Sequence, residues 1–217
     1  SGPIGFGISS LDFLNNSHNR CGIYSIDLYV DSQLYFSHVL DKIPFHETRY
    51  INTLVDYETW KRSGTKLQKC FIDPGNKLST YSNVQNQGIV EFNDNKEHII
   101  KMVVKDSHLN TSELQFKVIS LLSEAKDPDT IVPTKDQILF RFDQENKFEN
   151  ESCIVTVPEN RLYNDILFNY ALKNPKKTSF YSDIHQIHNS IIPLHKSITL
   201  SIKTIKQAQN TDKLCIV

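Results

Sequence analysis

Apolar residues recur at every second position along much of this 217-residue chain. Only a β-strand gathers such a period onto one buried face. From Gly22 to Val30 the set is Tyr24, Ile26, Leu28 and Val30, with Ser25 and Asp27 on the other face. Gln33 to Leu40 follows after Asp31-Ser32, a two-residue gap that predicts a hairpin. His98 to Val104 places Ile100, Met102 and Val104 together, and Glu113 to Val118 offers Leu114, Phe116 and Val118. Leu67–Ile72 and Gly88–Phe92 are two further strand candidates.

One stretch departs from period two. Glu47 to Arg62 carries Tyr50, Leu54 and Tyr57 at helical spacing. Glu58 and Arg62 form an i,i+4 pair, and Ser63-Gly64 supplies a stop. A helical insertion near 47–62 is expected. Asp127-Pro128-Asp129 and Val132-Pro133-Thr134 mark residues 123–136 as a linker. A first module then spans 1–122 and a second 137–217. The second has strand candidates at Ile138–Phe142, Cys153–Val157, Ile166–Tyr170 and Ser197–Ile205, with Pro158 and Pro175 as boundaries. Short strands with frequent turn signals predict a mostly β chain of two immunoglobulin-like β-sandwich modules, the first with the helical insertion.

Composition excludes several functions. A formal net charge of −1 gives no basic footprint for a nucleic acid. No run of about 18 apolar residues is present to span a membrane. The start, Ser1 to Phe6, lacks the basic and apolar regions of a signal peptide, and both ends read as cut from something longer. Cys21, Cys70, Cys153 and Cys215 form no CxxC pair, so four free and mostly buried thiols are expected.

Three residue sets bear on chemistry. His185, His188 and His195 are the weak metal candidates, but no HExxH occurs, and Asn189-Ser190 and Pro193 predict a loop there. Tyr50, Tyr57 and Trp60 read mainly as a packing face and secondarily as a ligand surface; the same holds for Tyr163, Tyr170, Phe180 and Tyr181. Arg49 and Asp56 read as a structural pair, and Asp73-Pro74-Gly75-Asn76 as a turn. No GxSxG, P-loop or GxGxxG is present, and Gly5-Phe6-Gly7 reads as strand or turn. No cysteine stands where a basic neighbour or helix start would activate it. No catalytic residue, metal or cofactor is assigned.

Several phrases taken together are distinctive: Gly2-Pro3-Ile4-Gly5-Phe6-Gly7-Ile8, Glu47-Thr48-Arg49-Tyr50-Ile51-Asn52, Pro74-Gly75-Asn76-Lys77-Leu78, Leu162-Tyr163-Asn164-Asp165 and Ser182-Asp183-Ile184-His185. They resemble the region C-terminal to the peptidase domain in exported Bacteroidetes proteins similar to lysostaphin-type zinc metallopeptidases, which cut peptide cross-links of the cell wall. That family binds zinc through HxxxD and HxH. Neither spacing occurs here, so the activity does not transfer. One departure is local: Leu109 stands where related sandwich domains often have Gly. The resemblance implies a non-catalytic accessory region in the periplasm or cell envelope. It would position the parent peptidase domain, or hold cell-wall glycan or an envelope protein. The alternatives are a carbohydrate-binding module using Tyr50, Tyr57 and Trp60, and a metal-dependent hydrolase using His185, His188 and His195.

Overall fold

The computed structural model describes residues 2–13, 19–121, 137–173, 180–208 and 211–216. The expected linker 123–136, together with His18, Pro175 and Val217, lies outside the described residues. The chain divides into two compact units, Ser1–Thr130 and Ile131–Val217.

The first unit opens with short strands β1 (Gly2–Gly5), β2 (Gly7–Ile8), β3 (Asp12–Phe13) and β4 (Arg20–Cys21), then β5 (Ser25–Val30) and β6 (Gln33–Val39). After the helical insertion come β7 (Gln68–Lys69), β8 (Tyr81–Ser82), β9 (Ile89–Phe92), β10 (Glu97–Lys105) and β11 (Thr111–Ile119). Five of them form one sheet in the order β11-β10-β5-β6-β8. The alternation works as read: Ile26, Leu28, Phe36, Ile100 and Met102 are fully buried. They meet Phe6, Val90 and Phe92 from β1–β2 and β9, which close the other side of the core. Asp31 and Ser32 have φ of 49° and 69°, so the hairpin turn has positive φ at both central positions, the type whose twist suits paired strands. The Asp31 carboxylate then ties the turn to β10. Its Oδ1 accepts from Ile99 N–H at 2.9 Å, and its Oδ2 lies 2.7 Å from His98 Nδ1. His98 Nε2 meets Asp94 Oδ1 at 2.9 Å. Two carboxylates favour the charged imidazole, so its pKa rises and theirs fall.

The expected helical insertion near 47–62 is present as two pieces. A 3₁₀ segment runs Phe45–Thr53, and α1 occupies Tyr57–Ser63. The backbone between them is spent on β7: Lys69 N–H donates to Leu54 O, and Asp56 N–H to Leu67 O, both at 2.8 Å. Asp56 turns extended and caps α1 through Thr59 N–H at 2.7 Å. Glu58 and Arg62 pair at 2.8 Å, and Gly64 ends the helix at φ 75°. The candidate strand Leu67–Ile72 shortens to Gln68–Lys69, because Lys69 then pairs with Asp73 at 2.8 Å in a nearly buried turn.

Asn76 fastens the insertion to the sheet. Its Nδ2 donates to Tyr50 O, Thr53 Oγ1 and Tyr81 OH at 3.2, 2.8 and 3.1 Å, and its Oδ1 accepts from Leu78 N–H at 2.9 Å. Asn76→Ala leaves those buried groups without this partner. It is expected to cost about 2 kcal/mol, read as a lower denaturant midpoint in the fluorescence of Trp60.

The second unit holds β12 (Ile138–Phe140), β13 (Asn146–Glu149), β14 (Cys153–Val157), β15 (Ile166–Phe168), β16 (Tyr170–Lys173), β17 (Ile184–Ile187) and β18 (Thr199–Ile202). Its sheets are β13-β14-β18, β12-β15 and β16-β17. Phe140, Cys153, Val155, Val157, Leu162 and Phe168 form the core, with the Phe140 and Phe168 rings stacked 4.3 Å apart. The chain is mostly β and its sheets are antiparallel, in keeping with a sandwich. The loop expected around His185 is instead β17, because Ile184–Ile187 finds a partner in Tyr170–Lys173. The candidate Ile166–Tyr170 is two strands parted at Asn169, and Ser197–Ile205 shortens to β18. β13, with its single apolar Phe148, has almost no alternation to reveal it. All four thiols are free. Cys70 and Cys153 are buried, Cys21 is half-buried and Cys215 is exposed, so the expectation of mostly buried thiols fits only half of them.

Candidate functional site

The three histidines that proximity in sequence joins are used separately. His185, on β17, sets Nδ1 2.8 Å from Tyr170 OH on the neighbouring β16. His188 follows the strand at φ 50°, with Nδ1 3.4 Å from Asn169 N and Nε2 3.2 Å from Asn189 Nδ2. Burial lowers its pKa. His195 is buried, with Nδ1 3.1 Å from Tyr163 OH. Among the described residues, no three His, Cys, Asp or Glu side chains gather as a metal ligand set would. β17 ends at Ile187, and His188 turns to left-handed backbone beyond it, so the two imidazoles take different partners.

The first unit's aromatic candidates divide. Tyr57 and Trp60 lie on α1 with ring centroids 5.4 Å apart, edge to face. Lys61 Nζ stands about 6 Å from both rings, at 6.0 and 5.9 Å. Trp60 is 38% exposed, so this pair is a surface feature. Tyr50 sits on the separate 3₁₀ segment, half-buried, where its carbonyl serves Asn76.

The larger concave feature belongs to the second unit. A groove of about 570 Å³ runs between β17 and β18. Ile184, His185 and Ile187 line one wall, and Leu200 and Ile202 the other. Phe180 and Tyr181 stand at the approach to β17, and Lys213, which ends a 3₁₀ turn, borders the groove with the non-strand backbone Leu214–Ile216. Ile205 N–H bonds Tyr181 O at 2.8 Å, and Lys206 Nζ lies 4.7 Å from the Tyr181 ring. These contacts hold Tyr181 beside β18. His185 Nε2 is buried without a hydrogen-bond partner among the described residues. The volume suits a ligand or an extended peptide segment. Phe180 and Tyr181 were weighed as a ligand surface from sequence. The groove itself was not legible, since its walls come from strands about 15 residues apart that meet only in the fold.

Fold and site together define a mostly β chain with a largely apolar groove in its second unit. Residues 137–217 match the model of the Zu5-like domain, so that unit is similar to this family over its length. No curated protein and no solved structure matches the chain.

Proposed function

We propose that this chain is a non-catalytic interaction region of an exported, cell-wall peptidase-like protein, built of two immunoglobulin-like β-sandwiches. The groove between β17 and β18 carries the reading: its walls are mostly apolar, with His185 among them and Asp183 and Lys213 as charged residues along the lining. Such a surface binds by covering apolar side chains of a partner, while the surrounding sheets keep it shaped. The partner is the parent peptidase domain or an envelope protein, and the site lies outside the cytoplasm. The reading rests on that geometry together with the sequence resemblance. Ile184 is exposed on the groove wall. Ile184→Glu is therefore expected to weaken binding of the parent peptidase domain about tenfold or more by calorimetry. Failure of the unaltered chain to bind that domain or a cell-envelope extract component would overturn the reading.

A second reading follows from the exposed Trp60 beside half-buried Tyr57, aromatic rings of the kind that stack on sugars. Under it, Trp60→Ala abolishes binding of cell-wall glycan fragments, and Ile184→Glu leaves that binding unchanged.

A further inference from the structure

β11 is the outermost strand of the five-stranded sheet and is nine residues long. Two backbone bonds in register with its ladder show which groups it spends. Ser120 N–H donates to Lys96 O at 3.0 Å, and Asp106 N–H to Asn110 O at 3.1 Å. Bonded and non-bonded pairs alternate along an antiparallel ladder. Ser112, Leu114, Phe116 and Val118 therefore turn their N–H and C=O groups toward β10. Thr111, Glu113, Gln115, Lys117 and Ile119 turn theirs to the open edge, where no described strand pairs with them. The side chains leave the edge unfinished as well. Phe116 and Val118 pack only partly on the core, and Leu114, on the same face, is 48% exposed.

We propose that β11 pairs antiparallel with β11 of a second copy of this chain, across a two-fold axis through Gln115. The charges select this register. It sets Glu113 opposite Lys117 of the second copy, and Lys117 opposite its Glu113. An axis through Leu114 would set Glu113 against Gln115, and one through Phe116 would set Lys117 against Gln115. Within one chain, Lys101 Nζ already lies 3.9 Å from Glu113, and Lys117 Nζ lies 2.7 Å from Glu97. Pairing extends these into a row of alternating sign across four strands: Lys101, Glu113, then Lys117 and Glu97 of the second copy. On the other face, Leu114 meets Phe116 of the second copy, covering apolar surface that each sheet leaves open. Charges on an edge strand ordinarily deter association; here the two are complementary to their own copies.

Sedimentation equilibrium tests this on the full chain of 25.0 kDa. The unaltered chain is expected at twice that mass. Glu113→Lys and Lys117→Glu each set like charges against each other, so each alone is expected to weaken the dimer about tenfold or more. Mixed together, the two variants restore opposite charges at both positions and are expected to form a one-to-one heterodimer. Gln115→Pro removes an N–H that faces the open edge rather than β10, and is expected to give a monomer with the circular dichroism of the parent. A chain that stays monomeric at every accessible concentration overturns the proposal. So does a dimer that ignores the charge reversals, or variants that fail to pair when mixed.

Discussion

Gly88→Ala is expected to unfold the first unit at denaturant concentrations that the unaltered chain survives. Gly88 is buried at φ 82°, the third consecutive residue at positive φ after Asn86 and Gln87. An added Cβ would lie 2.3 Å from Cys70 O and 2.6 Å from Phe71 Cα, both backbone atoms that cannot swing aside. The same turn is bonded on both sides: Gly88 N–H donates to Gln85 O at 2.7 Å, and Ile72 N–H to Gln87 O at 2.8 Å. Left-handed strain accounts for about 1–2 kcal/mol and forced overlap for about 1–3 more. Gly64→Ala separates the two contributions. Gly64 has a similar φ of 75°, but nothing lies within 4 Å of its added Cβ. It should lose only the strain. Trp60, the single tryptophan, lies in the first unit and reports its unfolding directly. Equal losses for the two alanines would refute the overlap argument.

The second large effect is a loss of the first unit's stability on acidification that one buried histidine controls. His38, on β6, is 1% exposed; its ring lies 5.3 Å from that of Tyr81, and its Nε2 is buried without a partner among the described residues. Burial disfavours the cation and lowers its pKa to about 4 from 6.5. The unfolded chain therefore binds the proton first as pH falls. Stability from neutral His38 is complete above pH 6.5 and drains away down to about pH 4, a difference of about 3 kcal/mol. His98 runs the other way: its raised pKa contributes stability below pH 6.5 that is lost as pH climbs past the raised value. Asp31 and Asp94, both lowered, contribute above pH 3.8 and lose it only below that. In the first unit the window between about 4.5 and 6.5 thus belongs to His38; His188, also lowered by burial, acts in the second unit, which Trp60 does not report. His38→Phe keeps a flat ring without the buried nitrogen, so its denaturant midpoint should be nearly flat across that window. A variant as acid-sensitive as the unaltered chain would show that another group governs the loss.

Glycine and histidine illustrate what a linear reading reaches. Alternation at Ile26, Leu28, Ile100 and Met102 determined the strands and their buried face, because period two has one structural meaning for a chain of this composition. Asp31-Ser32 marked the hairpin, and Ser63-Gly64 the helix stop, since both signals act within a few residues. Leu109 was a departure visible in sequence, and the structure places it at φ 66°, the left-handed backbone for which glycine is favoured. Short-range signals failed where a distant partner took over the backbone. The insertion breaks at Leu54–Asp56 because β7 claims those groups, and Ile184–Ile187 becomes a strand because β16 lies beside it. The histidines at 185, 188 and 195 look like a cluster in print but bond to separate partners, Tyr170, Asn169 and Tyr163. Conversely, the β17–β18 groove and the cage around Asn76 join residues separated in the chain, and β11 has an open edge only because the sheet order leaves it outermost. Their assembly depends on which faces find cover, a property of packing that no local pattern of residues encodes.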